Sequence, residues 1–438
     1  MKPARFVSVR YVLLALYLAA IVWLIADGYQ VYSGEERHAD AAKATLTFRH
    51  FWLQEYNLPV ERIVTELIEA FEEQYPQYKI DFEGLDQTIH REQKLKSEMV
   101  TGTQPDIMAL FGGAEIEPYV RAKRLLDLTD WLKETGLFER FKDLQLWTFD
   151  GRVYGLPMEG NAEPLFYNKH IFAELSLRPP QTIDDLRHAV SVLRDNGYIP
   201  FALGNADRWQ AGIYAHYFMD MYAGEEPFQR IIRGEGNFDH PGYRAAFADL
   251  VALGQMEAFP ENVNQLDAEG AIRLFTGGQA AMYLNGSWDI NVFYDDDAPE
   301  AFRDAVGVLP FPKRRAHDER ISLAGGYTFG LGVSANLTEE EKQAALRFLE
   351  ILYSEEAQLR LLYEAMRIPS MNVTYDENRI GAIYAQVVDL TEQVDHMFVP
   401  YDNMLPPEVN QVFLQAASLL ITGQMTPEEA IRELNAAL

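Results

Sequence analysis

An α/β fold of more than one domain, built on parallel, doubly wound sheets, is what this sequence predicts. Three observations lead there. From residue 45 onward, strand-type and helix-type patterns follow one another as strand, helix, strand, helix, strand. That order is the mark of parallel βαβ units with right-handed crossovers. The chain has 438 residues, more than one hydrophobic core usually serves. Its 48% hydrophobic and 12% aromatic content is ample for packed cores.

The first strand is read over 46–52, where apolar and polar side chains alternate. A helix follows over 60–74, with Ile63, Leu67, Ile68 and Phe71 at helical spacing. Residues 78–82 form the next strand, 91–101 a second helix and 105–110 a third strand. After Gly151, residues 165–168 read as a strand, and helical patterns then dominate to about residue 274. Further strands are read at 306–310 and 327–331. Thr338 opens a helix and makes a capping box with Glu341. A helix over 407–422 ends before Gly423, and a last helix begins behind the cap Thr426.

The stretch LFTGGQAAMYLNGSW, 274–288, is the most specific. Gly277 and Gly278 suit a helix stop, because glycine enters the left-handed region without a Cβ penalty. Residues 280–284 are a short apolar run bounded by turns, as a buried strand should be. Asn285-Gly286 ends it and presents Trp288. Ligands in open α/β sheets sit outside the carboxyl ends of strands, so a flat amphipathic ring there is a candidate platform.

This segment resembles a signature of the extracellular solute-binding proteins of ABC importers, in the carbohydrate-binding group that includes maltose-binding protein. Other stretches match in the same order: the first strand ending in Phe51-Trp52, Pro105-Asp106-Ile107, and Tyr154-Gly155-Leu156-Pro157 with Phe166-Tyr167-Asn168-Lys169. Leu323-Ala324-Gly325-Gly326 and Thr422-Gly423 followed by Thr426-Pro427-Glu428-Glu429-Ala430 complete the series. Each motif alone is common; the order carries the resemblance, which covers nearly all of the chain after Thr45. It implies a two-lobed periplasmic-binding-protein-like fold, each lobe a mostly parallel sheet flanked by helices, with a ligand cleft between. The chain then crosses between lobes near 158–164, 309–313 and 367–373. Lobe one becomes 45–159 with 313–368, and lobe two 160–312 with 369–438. Pro157, Pro164, Pro310, Pro312 and Pro369 lie at or beside these crossings, where a fixed φ suits a defined connection.

The net charge of −28 argues against nucleic-acid binding, which needs a basic footprint. Asp295-Asp296-Asp297 lacks the spaced ligands and closing Glu of a calcium loop. There are no cysteines, so disulfides, thiolate metal sites, cysteine nucleophiles and cysteine lipidation are excluded. The nine histidines are scattered, and neither a metal nor a cofactor is expected. Lys2, Arg5 and Arg10 precede the apolar run 11–26, the pattern of an export signal. With acidic residues after it, the run places the N-terminus in the cytoplasm. It is short of the about 20 residues of a full span; we read it as an uncleaved signal anchor in preference to a cleaved signal peptide. Residues 1–44 are thus a basic segment, an anchor and a polar tether, and the remainder is extracytoplasmic.

A sugar offers flat C–H faces and outward hydroxyls, and is held by aromatic rings and planar polar side chains in a cleft between lobes. Strand ends and crossings nominate Trp52, Glu55, Asp86, Phe111, Glu159, Asn161, Trp209, Trp288, Asp289, Gly326, Tyr327 and Arg367 as ligand-binding residues. Glu159 also matches, by motif, a ligand-contacting glutamate of the resembled group. Trp131 and Trp147 are read as core and Asp106 as structural. No G-x-S-x-G, H-E-x-x-H or P-loop motif occurs, and no catalytic residue is assigned. The expected function is a non-catalytic sugar receptor, a monomer, that closes on its ligand and docks an ABC permease. Two alternatives stand beside it. An anchored sensor acting with a partner receptor would leave uptake intact. A sugar-active enzyme using Glu159 with Asp289 as a carboxylate pair would form product.

Overall fold

The computed structural model describes residues 44–438 apart from 295–297 and 319. The apolar run 11–26 and the Asp295-Asp296-Asp297 cluster lie outside the described residues. Among the described residues, no helix is long and apolar enough to cross a membrane.

The strands in chain order are β1 (Ala44–His50), β2 (Tyr78–Gly84), β3 (Ile107–Phe111), β4 (Thr148–Phe149), β5 (Arg152–Val153), β6 (Leu156–Pro157), β7 (Glu159–Ala162) and β8 (Leu165–Asn168). They continue as β9 (Ile199–Ala202), β10 (Ala280–Leu284), β11 (Val306–Leu309), β12 (Ser322–Gly326), β13 (Phe329–Val333), β14 (Ile368–Pro369) and β15 (His396–Phe398). Three sheets position everything else, in the orders β2-β1-β3-β13-β6, β11-β8-β10-β9 and β14-β7-β12-β15. β4 and β5 form a separate two-stranded ribbon.

In the first sheet β1 runs parallel to β2 and β3, joined by the helix Leu58–Gln74, whose Val60, Ile63, Val64, Leu67, Ile68 and Phe71 are buried. Leucine, isoleucine and valine at that spacing give a helix one apolar stripe to lay on a sheet. Asp106 has the structural role expected of it: its carboxylate accepts from the Thr47 amide at 2.8 Å and the Thr47 hydroxyl at 2.9 Å, tying β3 to β1.

The sheets are mixed, which corrects the expectation of mostly parallel pairing. β13 is antiparallel to β3 and β6, and β8 is antiparallel to β10 and β11. The reason is traffic through the third sheet. β6 leads the chain out through β7 into β8, and β11 leads it back through β12 into β13, so entry and return strands oppose one another. The stretch in which helical patterns dominate also contains β9. Its four residues include Pro200, too short and too interrupted to show a period of two. The helix stop before β10 uses Gly278 at φ +69 and not Gly277, which is right-handed.

The first sheet's core includes Phe48, Leu110, Trp147 and Phe348, all fully buried. The second sheet packs one face against the helices Trp209–Ala223, Pro241–Gln255 and Pro407–Ile421. Phe166, Phe275, Phe293 and Tyr384 form a further core. Capping boxes at Thr182, Thr338 and Thr426 fix three helix starts.

Candidate functional site

The exits of β1 and β2 face the start of the helix Trp209–Ala223 and the start of the helix Pro407–Ile421 across a cavity of about 500 Å³. One wall carries Gln54, Tyr56, Asp86, Gln87, Arg91 and Glu115; the other carries Asp207, Arg208, Trp209, Asp267, Asp402, Asn410 and Gln411. The walls already touch. The Glu55 amide donates to Glu269 Oε1 at 3.1 Å, and Gln411 Nε2 donates to Glu92 Oε2 at 3.1 Å.

Local chemistry explains how these side chains are held. Asp86 caps its own turn by accepting from the Ile89 amide at 3.0 Å. Asp267 accepts from the Gly270 amide at 2.7 Å and caps the helix Ala268–Thr276. Arg208 takes a left-handed φ of 69, a strained conformation outside glycine that turns the chain into the helix and sets Trp209 at its first position. Asn205 and Gln210 lock that turn, through the Ala211 amide at 3.1 Å and the Gly204 amide at 2.7 Å. Arg91 pairs with Glu115 and lies 4.1 Å above the Phe111 ring.

The charge in the cleft is predominantly acidic. Asp207 is pushed above the usual carboxylate range, first by burial and then by Asp86 and Asp267 facing it. Burial also lifts the Asp402 carboxyl to about 6, against the opposing pull of His216. Carboxylates, amides and guanidinium groups around an indole and a phenol can serve hydroxyl donors, hydroxyl acceptors and an apolar ring face together. Among the described residues no group of three or more His, Asp or Glu side chains is placed to hold a metal ion.

Of the twelve nominated residues, Asp86 and Trp209 line the cavity. Trp288, half-buried, sets its ring 6.0 Å from that of Trp209 at 59°, and lies over Gly286, where a Cβ would come within 2.1 Å of the indole. Glu55 sits at the cleft edge through its amide. Four others do not line this cavity. Trp52 is 1% exposed and packs in the first sheet's core, because the chain turns inward one residue past the strand. Phe111 stacks on Phe51 at 5.9 Å and supports Arg91. Asp289 is fully buried, accepting from the Tyr283 hydroxyl at 2.7 Å and Asn285 Nδ2 at 2.8 Å. Arg367 is 1% exposed, and its two Nη groups donate to protein oxygens. Glu159 pairs with it at 3.1 Å. Asn161 donates to Thr328 Oγ1 at 2.9 Å and pairs with Gly326, whose φ of 139 suits glycine. The Tyr327 carbonyl accepts from Trp147 Nε1 at 2.8 Å. These last residues belong to the third sheet and its flank.

Tyr56, Arg91, Asp207, Arg208, Asp402, Asn410 and Gln411 were not nominated. Asp207 and Arg208 share the polar loop that nominated Trp209. Asn410 and Gln411 occupy a helix whose apolar stripe reads only as core.

Burial pushes the Asp289 carboxyl from 3.8 up to about 7, with Tyr283, Arg367 and Asn285 opposing. The folded state keeps a proton that the unfolded chain loses near pH 3.8. Its contribution to stability is complete below that pH and is lost as pH rises through about 7. Asp289→Asn removes this dependence: the fall in stability from about pH 5 to about pH 8 shrinks by roughly 2 kcal/mol, read from urea unfolding at each pH. Parallel pH profiles for the two proteins would refute the assignment.

Residues 58–359 match the sequence pattern of the family described as bacterial extracellular solute-binding protein. A solved structure titled chitin oligosaccharide binding protein superposes with a TM-score of 0.86 at 29% identity, covering 90% of this chain and 98% of that one. An uncharacterised ABC transporter extracellular-binding protein of Pyrococcus horikoshii is 28% identical over 228 residues, 51% of each chain. The melibiose/raffinose/stachyose-binding protein of Bacillus subtilis is 23% identical over 386 residues, 84% of each chain. The chain spans about half the length of the first of these curated relatives.

Proposed function

The chain belongs to the bacterial extracellular solute-binding protein family, and from that premise we propose an extracytoplasmic receptor that binds a carbohydrate or oligosaccharide by lobe closure and delivers it to an ABC-type permease. The observation that carries this reading is the cavity of about 500 Å³ between two walls, with Tyr56 on one and Trp209 on the other. Its size suits a small ligand, and its rings and polar groups suit a sugar. The relatives named for chitin oligosaccharide and for melibiose, raffinose and stachyose support the class.

Lobe one comprises 45–159 with 327–368, and lobe two 160–321 with 369–438. We place the middle passage at Ser322–Gly326 in preference to 309–313, because Lys313 bridges to Thr182 beside the second sheet. The receptor is non-catalytic and anchored by residues 11–26. Against a glycosidase dyad, Glu159 is committed to Arg367 and Asp289 to Tyr283 and Asn285.

The test is a thermal-shift series on the full chain in detergent, with chito-, malto- and xylo-oligosaccharides and raffinose, and amino acids as controls. A ligand at a hundredfold excess over Kd stabilises the fold by about 2.7 kcal/mol. A selective shift without product supports the reading. No shift with any sugar overturns the ligand class, and product formation overturns the non-catalytic role.

A further inference from the structure

Arg367 has no exposed donor to offer a ligand, yet it touches both sides of the cleft. It follows the helix Glu355–Ala365, which ends at Met366 in a left-handed φ of 53. The Arg367 amide bonds back to the Leu361 carbonyl at 3.0 Å, and β14 begins at the next residue. The strained position at Met366 turns the Arg367 side chain inward, where it is 1% exposed.

Four oxygens from three segments meet its guanidinium. Nη2 donates to the Tyr56 carbonyl at 2.5 Å and to Asn57 Oδ1 at 3.0 Å. Nη1 donates to the Trp288 carbonyl. Nε faces Glu159 Oε2 at 3.1 Å. Tyr56 and Asn57 lie between β1 and the helix Leu58–Gln74, on the first-sheet side. Trp288 follows β10 in the second sheet, and Glu159 begins β7 in the third. The two carbonyls belong to Tyr56, which lines the cavity, and to Trp288, whose ring meets Trp209.

We propose that Arg367 is a closure latch, a positioning residue that sets ligand affinity by holding the two walls together without touching the ligand. The proposal rests on the reading of the protein as a receptor that closes. Parting the walls takes the Tyr56–Asn57 pair or the Trp288 carbonyl away from a buried cation. Such charge-assisted bonds are strong, and an unpaired buried cation is unfavourable. The guanidinium therefore biases the ligand-free protein toward the closed arrangement. Lysine keeps the charge beside Glu159 but offers one compact ammonium where three segments need a planar fork.

The experiment needs no ligand, so it fails or succeeds independently of which sugar, if any, is bound. The chain has no cysteine, so Val100→Cys in the helix Lys96–Thr101 and Gln279→Cys before β10, both exposed, take spin labels selectively. Pulsed dipolar distances are measured on the full chain in detergent, with Arg367 intact, with Arg367→Lys and with Arg367→Met. The intact protein should populate a short distance, and both substitutions should lower the closed-to-open ratio about tenfold, as the loss of a charge-assisted bond implies. Asn57→Ala, which removes one acceptor and leaves the cation paired, serves where an Arg367 variant does not fold and should open the cleft to a smaller degree. An intact protein found only at the long distance overturns the latch. So do variants that melt earlier with an unchanged distance distribution, since a merely structural arginine would do that.

Discussion

Trp209→Ala lowers affinity for the stabilising oligosaccharide by roughly a hundredfold, the loss typical of a buried aromatic anchor, while the fold keeps its cooperativity. The indole lines the cavity on the wall opposite Tyr56 and stands at the first position of the helix Trp209–Ala223. Its position is fixed before ligand arrives, by the left-handed Arg208 and by the bonds of Asn205 and Gln210. A preorganised ring loses little entropy on binding. The side chain is only half-buried, so its removal leaves no sealed void and stability changes little. Trp288→Ala acts at one remove, freeing the Trp209 ring at the 6.0 Å contact while leaving the backbone carbonyl that Arg367 holds. Its affinity loss should be the smaller of the two. Titration calorimetry of both variants decides this. Wild-type affinity in Trp209→Ala would remove the indole from the site.

The same geometry shows what sequence could convey. β8 and β10 were read to their end residues because glycine or charged turns bound short apolar runs, and a run of that kind has one register. The βαβ order gave the first sheet's outgoing strands, but pairing direction depends on where the chain re-enters from the third sheet, which no local pattern encodes. Trp209 and Asp86 were legible because each ends a polar loop just past a strand. Trp52 and Asp289 sit in the same kind of place and point inward instead. Alternation predicts a side only while the strand lasts, and one turn beyond it the side chain's direction is free. Arg367 is a further case. Its place beside a crossing nominates it as a ligand contact; its burial arises from segments that sequence separates by 79 and 311 residues. The wall formed by Asn410 and Gln411 is likewise set by long-range packing, with the bond from Gln411 to Glu92 closing 319 residues.

Trp52→Ala lowers stability by about 3–5 kcal/mol, the range for deleting a buried tryptophan, and leaves the affinity of the folded protein unchanged. The ring stands edge-on to Phe48 at 6.0 Å and 81° and to Phe329 at 6.1 Å and 83°. It stacks on His50 at 4.9 Å, and the Trp52 amide donates to His50 Nδ1 at 3.1 Å. Phe48 and Phe329 come from β1 and β13, two interior strands of the first sheet, so the indole fills the space between the sheet and the turn after β1. Alanine cannot fill it, and interiors packed at crystal density relax only partly around such a void. Trp52→Phe keeps most of the volume and should retain more than half of the lost stability. Urea unfolding gives the midpoint and slope for each protein, and calorimetry gives the affinity. Unchanged stability with weakened binding would return Trp52 to the cleft. A fall in stability with unchanged binding fixes it as part of the core that holds the Tyr56 turn against Arg367.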